Sequence, residues 1–509
     1  MHFQNRLRLS PLPTLLVAVV IITAVLAAWG FQTNEVWDDA YITFQYARQL
    51  TDGAGIVYYP GDQPSQGSTS MLFLLLTSTA LRLGISAEAA AFVFNAIGMY
   101  MIAAAAFLFS RFVTTNLVWR GVLALLPPLS SAVIYHQTSG LETNLWTGLV
   151  LLTAALLTLP RTRRMVSVYT VLSFLICLTR PDSALFVGVW WLALLIENRR
   201  QNFPLFLGFL AAGLMYLAAL YLYFGDILPT AYYIKVGAEG GVRYVLYFLS
   251  SVVISPLVIW GLWTLRRSPV LWWTAPILTL PIFYLFTKPL NGGVFRFFHP
   301  LTCLAIIYGS LGLFLLAGWV RGKMPVRWRP LAGLTATAIL LAVNTYPVGV
   351  NLISRQSIPA EPLRLWSHAL AQIEPPISII YGDAGMLPYL SGQRLIDPVG
   401  LAEPTIARNA AKHGKGWVID YLLDQRADVI GFYIGFDGQI YNAAHGVIGS
   451  AYSDLYQAAD FQANYQLIGA LNYGSHYCVW FVRNDSPALA ELQAAIRPLA
   501  MAEIPPIIP

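Results

Sequence analysis

Between residues 11 and 349 the chain is a series of apolar runs joined by short polar stretches, and that pattern leaves few folds open to it. In hydrocarbon every backbone N–H and C=O must be satisfied inside the protein, so such runs read as membrane-crossing helices. Eleven spans are predicted, at 12–31, 89–110, 121–136, 143–160, 165–180, 184–198, 203–223, 244–264, 270–287, 300–319 and 331–350. Charged residues make up 11% of the chain and mean hydropathy is +0.59, against about 25% charged residues in soluble domains. The shortfall is confined to the first two thirds, and residues 350–509 have the composition of an ordinary soluble domain. The expected fold class is an α-helical polytopic membrane protein of about 11 transmembrane helices, residues 1–350, carrying a C-terminal soluble α/β or α+β domain, residues 351–509. The first run, residues 15–29, follows Arg6 and Arg8 and also fits a secretory signal peptide. The residues just after it and the many spans that follow make a retained first span the expectation.

The net charge of +6 does not point to nucleic acid, because the basic residues lie in short joints between apolar runs. Alternate joints hold fifteen basic residues, among them Arg161, Arg163, Arg164, Arg266, Arg267, Arg327 and Arg329, and the opposite joints hold seven. The richer side faces the cytoplasm. The N-terminus is then inside, the soluble domain outside, and the chain a multi-pass protein of the cytoplasmic membrane. Three cysteines, Cys177, Cys303 and Cys478, are too scattered for a disulfide framework or a metal site.

The first outer loop, residues 32–88, is too long for a turn. Residues 38–50 read as a helix stopped by Asp52-Gly53, and 71–83 as an apolar helix too short to span. In the soluble part, 377–381, 428–433 and 477–482 read as strands, and 361–372 and 417–425 as helices.

Ionisable residues gather at the outer ends of the spans. The loop opens with Trp37-Asp38-Asp39-Ala40-Tyr41-Ile42-Thr43-Phe44. Its paired carboxylates suit a helix N-terminus, and equally a general base at the membrane surface, one that could also touch a metal ion. Glu142 lies in the short loop Ser139-Gly140-Leu141-Glu142-Thr143-Asn144, where a carboxylate beside hydrocarbon is unfavourable unless it has a task. Arg180, Lys235 and Arg296 stand at other outer ends against the positive-inside bias. Snorkelling explains each singly. A site for an anionic lipid headgroup explains them together, with neighbouring aromatic side chains suited to a prenyl chain or a sugar ring.

The first-loop run resembles the signature of GT-C superfamily glycosyltransferases, and most of all the terminal arabinofuranosyltransferases of bacterial cell walls. Further matches are Gly53-Ala54-Gly55-Ile56-Val57, Pro60-Gly61-Asp62, Ser139-Gly140-Leu141-Glu142-Thr143, Thr179-Arg180-Pro181, Phe224-Gly225-Asp226-Ile227-Leu228-Pro229-Thr230, Gly382-Asp383-Ala384-Gly385 and Ile396-Asp397-Pro398-Val399-Gly400-Leu401. The resemblance implies inverting transfer of a sugar from a polyprenyl-phosphate donor to a glycan, lipid or protein acceptor on the outer face of the membrane, with Asp38 or Asp39 as base. Two departures are evident. Val294 follows the paired glycines where relatives often carry an acidic residue, and Gln63-Pro64-Ser65-Gln66-Gly67 replaces a more acidic stretch.

On this reading Asp38, Asp39 and Glu142 are the catalytic candidates, and Tyr41, Arg180, Lys235, Arg296 and His299 the substrate-binding ones. No cofactor is required, although Asp39 and Glu142 could share a divalent ion such as Mg, Mn or Ca, hard cations that prefer oxygen ligands. Two other classes remain open: a transporter or flippase of a lipid-linked sugar, which calls for mid-membrane charges and internal repeats, and a non-catalytic envelope scaffold.

Overall fold

The computed structural model describes residues 36–235, 241–253, 255–287, 293–323, 360–440, 451–474, 476–499 and 504–508. The expected spans 12–31 and 331–350 lie outside the described residues. Helices account for the chain up to Lys323. Among the described residues three are long and apolar enough to cross a bilayer, Ala87–Ser110, Arg199–Phe224 and Phe295–Val320. A fourth crossing would join Gly241–Val253 to Pro256–Thr264, two helices bent by 78° at a break. Arg199–Phe224 leaves Leu207, Leu210, Leu214, Met215 and Leu222 exposed along its length, an apolar surface that belongs in lipid. With these helices the chain is a membrane protein.

The other expected spans take shorter or broken forms, and proline is the usual cause. Residues 121–136 are divided between Leu117–Leu125 and Ser131–Thr138, with Pro127 and Pro128 in the gap. Each proline removes a backbone donor and clashes with the preceding turn. Residues 270–287 fold as Pro269–Thr274, Ala275–Leu278 and Thr279–Tyr284, with Pro276 and Pro281 at the starts of the later pieces. Thr143–Leu156, with 14 residues, rises only about 21 Å, short of the ~30 Å of hydrocarbon. It packs backbone to backbone on Ala87–Ser110, where a Cβ added at Gly98 or Gly148 would run into the main chain of the facing helix.

The loop after the first expected span carries two helices. Asp38–Thr51 ends at Asp52, and Gly53 follows with φ +87°. Met71–Arg82 is capped by Ser70, whose hydroxyl accepts from the Phe73 amide. Both agree with the sequence reading.

From Ala360 onward the chain builds a domain around one five-stranded sheet. Its strands are β1 Ser378–Ile380, β2 Arg394–Ile396, β3 Val429–Ile434, β4 Tyr465–Asn472 and β5 Tyr477–Arg483, in the order β2-β1-β3-β5-β4. β1 runs parallel to β2 and β3, while β3–β5 and β4–β5 are antiparallel. Alternation along the strands serves two cores. Ile379 packs with Trp366 and Trp480 on one face, and Ile380 packs with Ile406, Val418 and Phe432 on the other. The sequence reading finds β1, β3 and β5 but not β2, which is three residues long, nor β4, whose run is interrupted by Gly469.

Candidate functional site

The two acidic loops meet through a backbone contact. The Trp37 amide donates to the Ser139 carbonyl at 3.1 Å, which sets the start of Asp38–Thr51 beside the Ser139-Gly140-Leu141-Glu142 turn. Gly140 has φ +78°, and a Cβ there would meet Val36 and Ala40, so the approach requires glycine. Glu142 begins the helix Thr143–Leu156 yet makes no capping bond to it. Asn95 of the neighbouring helix does that work instead. Its Oδ1 accepts from the Asn144 and Leu145 amides at 3.2 and 3.4 Å, and its Nδ2 donates to the Leu141 carbonyl at 2.7 Å. The Glu142 carboxylate is thereby left for another partner.

That partner is Arg180. The helix Arg163–Thr179 stops at Arg180, whose φ of −147° and ψ of 115° are the extended conformation that a following proline favours. Its guanidinium donates to Asp182 through Nε at 3.2 Å and Nη2 at 3.0 Å, to Tyr284 Oη at 3.0 Å and to Glu142 at 3.3 Å. It also lies over the rings of Trp146 and Phe297, 4.8 and 5.0 Å from their centroids. Arg180 is thus held on every side. Arg296 is held less completely: its Nη1 donates to Asp39 Oδ2 at 3.1 Å, and its buried Nε has no hydrogen-bond partner among the described residues. Phe295, just before it, has φ +53°, a strained conformation for a non-glycine residue of the kind that gathers at functional sites.

These groups line one open cleft of about 1540 Å³. Asp39, Glu142, Arg180, Asp182 and Arg296 supply its charged lining, Tyr284 is among its uncharged polar groups, and Leu185, Leu228, Phe283 and Phe297 are among its apolar walls. Four sequence candidates, Asp39, Glu142, Arg180 and Arg296, therefore come together. The sequence alone does not single out Asp182 or Tyr284. Asp182 carries a signal, being two residues after Arg180, whereas Tyr284 is reached only by the fold.

The remaining candidates stand elsewhere. Asp38 turns away from the cleft, and its carboxylate accepts from the Gly385 and Met386 amides at 3.1 and 2.6 Å. Burial first, and then the charges of Asp383 and Asp39, hold its carboxyl well above the usual range, against the opposing pull of the two amides. Burial likewise raises Asp383. Tyr41 is buried, with its ring 5.2 Å from that of Tyr389 in the sheet domain. His299 is also buried, its Nε2 at 2.9 Å from Asn144 Oδ1, and it braces the helix behind Glu142 instead of lining the cleft. Lys235 ends the helix Thr230–Lys235, whose Ala231 and Tyr232 line the cleft; its side chain lies outside the described residues. Asp39 and Glu142 each face an arginine, and among the described residues no group of three or more His, Cys, Asp or Glu side chains is arranged to hold a metal ion.

The sheet domain roofs this site. Leu401 reaches the cleft, and its carbonyl accepts from the Thr230 hydroxyl at 2.6 Å. The same hydroxyl also bonds the Gln66 carbonyl at 3.3 Å. Arg48 donates to the Tyr389 carbonyl at 2.6 Å, and the Tyr58 hydroxyl bonds the Ala384 carbonyl. The loop bearing Leu401 is shaped by Asp397, whose buried carboxylate accepts from the Val399 and Ala402 amides at 2.8 Å each. Burial outweighs those bonds and pushes the Asp397 carboxyl up to about 6.

A family model described as a domain of unknown function (DUF8728) matches residues 357–485. No curated protein matches the sequence. Among solved structures, apo ArnT from Cupriavidus metallidurans aligns with a TM-score of 0.59 at 12% identity, over 92% of this chain and 98% of that one. The same protein bound to undecaprenyl phosphate aligns with a TM-score of 0.57 at 12% identity, over 91% and 97%. At this identity the likeness is one of fold, which this chain shares with ArnT over nearly the whole length of both.

Proposed function

We propose that this chain transfers a sugar from a polyprenyl-phosphate donor to an acceptor hydroxyl at the outer face of the cytoplasmic membrane, with inversion at the anomeric carbon. The observation that carries the reading is the cleft itself, in which one carboxylate, Asp39, and one incompletely satisfied guanidinium, Arg296, stand together against apolar walls. Asp39 takes the proton of the acceptor hydroxyl, a contribution of about 10²–10⁴ in rate. The hydroxyl oxygen bonds to the anomeric carbon as the bond from that carbon to the phosphate oxygen breaks. Arg296 meets the charge left on the departing polyprenyl phosphate. Arg180 carries two carboxylate partners and serves chiefly to fix Glu142 and Asp182. Fold likeness to a protein crystallised with undecaprenyl phosphate supports a donor of that class. The resemblance of the first-loop motif makes a pentofuranose the first sugar to try. A divalent ion shared by Asp39 and Glu142 would have to compete with both arginines, so no step is assigned to it; chelation that stops turnover would restore it.

The deciding experiment incubates the purified chain with a panel of polyprenyl-phosphate sugars and candidate glycan, lipid and protein acceptors. Formation of an inverted glycosidic product that depends on Asp39 is expected. Movement of an unaltered donor across a vesicle membrane, without transfer to any acceptor, would replace this reading with a transporter.

A further inference from the structure

Beside Asp39 the cleft has an uncharged, hydroxyl-bearing stretch. Thr43 stands four residues after Asp39 on the helix Asp38–Thr51, so the two side chains share a face about 5–6 Å apart, and both line the cleft. The Thr43 hydroxyl lies 2.9 Å from that of Ser68, and Gly67 and Thr69 complete this side. Two hydroxyls bonded to one another keep one O–H proton and several lone pairs for a third group.

The segment bearing Ser68 is fixed from several directions. The Tyr46 hydroxyl is 2.7 Å from that of Ser65, and the Gln66 carbonyl accepts from the Thr230 amide at 3.2 Å. Gly67 is pressed so closely that an added Cβ would meet the Tyr46 hydroxyl and the Leu401 carbonyl. Residues 63–70 carry no ionisable side chain. The hydroxyls are thus held in place beside the proposed base, with no charge of their own.

We infer that Thr43, Ser68 and Thr69 form a subsite for the hydroxyls of the donor's sugar ring, and that this ring is neutral. The inference rests on the transferase reading. With the donor phosphate on Arg296, the anomeric carbon comes beside Asp39, and the ring extends over the next helical turn, where Thr43 and Ser68 wait. Buried hydroxyls that bond a sugar hydroxyl discriminate strongly against ligands lacking it, because they would be left unpaired.

The test measures binding of two probes to the full-length chain in detergent: bare polyprenyl phosphate, and polyprenyl phosphate carrying a neutral pentose or hexose. The wild type should bind the sugar-bearing lipid more tightly. Thr43→Val and Ser68→Ala should each weaken that lipid by roughly 3–10-fold and leave the bare lipid within about 2-fold. Thr43→Ser, which keeps the hydroxyl, should restore affinity and shows whether Thr43→Val fails merely by misfolding. Equal weakening of both lipids, unchanged binding of the sugar-bearing lipid, or an effect on the acceptor KM alone would overturn the subsite. A wild type that shows the sugar-dependent affinity but never transfers the sugar would instead overturn the transferase reading and leave the subsite standing.

Discussion

Asp38 Oδ1 accepts a hydrogen bond from the Met386 amide at 2.6 Å, which fastens the start of the first loop's helix to the sheet domain. Its neighbour Asp39 turns the other way, into the cleft. Adjacent carboxylates therefore have different tasks, and substitution should separate them. Asp39→Asn should lower turnover by 10²–10⁴ with donor affinity retained. Asp38→Ala strands two amides at a partly buried contact; it should lower turnover only about 10-fold and raise hydrogen exchange across residues 385–389. Equal rate losses with no change in exchange would assign both residues to the chemistry.

The two arginines should also part. Arg296→Ala should raise the donor Kd by 10-fold or more with little change in the thermal midpoint. Arg180→Ala leaves Asp182 and Glu142 as uncompensated carboxylates with side chains only 8% and 11% exposed, a loss on the order of 3–5 kcal/mol. Thermal unfolding in detergent reads that loss, and adding Asp182→Ala to Arg180→Ala should recover part of it. If Arg180→Ala unfolds at the wild-type temperature and has lost donor binding, Arg180 is the phosphate ligand.

Asp397 gives a pH dependence of definite sign. Its folded-state value of about 6 lies above its ordinary 3.8, so the native chain keeps a proton that the unfolded chain has released. The stabilisation is complete below about pH 4 and is lost as the pH rises through about 6, by up to ~3 kcal/mol. Between pH 4.5 and 7 the thermal midpoint of the wild type should therefore fall relative to that of Asp397→Asn. Parallel curves for the two proteins would exclude a perturbed Asp397.

Orientation is open to labelling in intact cells. A cysteine placed in the joint at 321–329 should resist an impermeant reagent applied from outside, and one in the exposed turn at Asp437 should react. The reverse pattern would invert the topology.

How far this site could be read in advance differs from residue to residue. Asp39, Glu142, Arg180 and Arg296 are conspicuous because charges at the ends of apolar runs are unfavourable without a purpose, and the fold brings those ends together. The sequence does not distinguish Asp38 from Asp39, since the partners of Asp38 lie some 350 positions further along the chain. Tyr41 and His299 are substrate-binding candidates in the sequence reading, but Tyr41 packs its ring on Tyr389 and His299 bonds Asn144. Thr43 had a legible signal in its spacing from Asp39. Ser68 did not, because its loop is placed by Thr230 and Tyr46. The broken spans follow from prolines visible in the sequence, which hydropathy does not weigh.

The bare seam between Gly98 and Gly148 bears on how the cleft can change shape. Where the two helices touch backbone to backbone there is no side chain to re-pack, so there they slide or tilt as one plate, and Glu142 rides on that plate at the end of the shorter helix. Any widening to admit a bulky lipid then falls to the facing side, where proline-broken pieces and the 78° bend provide hinges. The carboxylate flank would behave as the anvil of the cleft and the arginine flank, with Arg296, as its moving jaw.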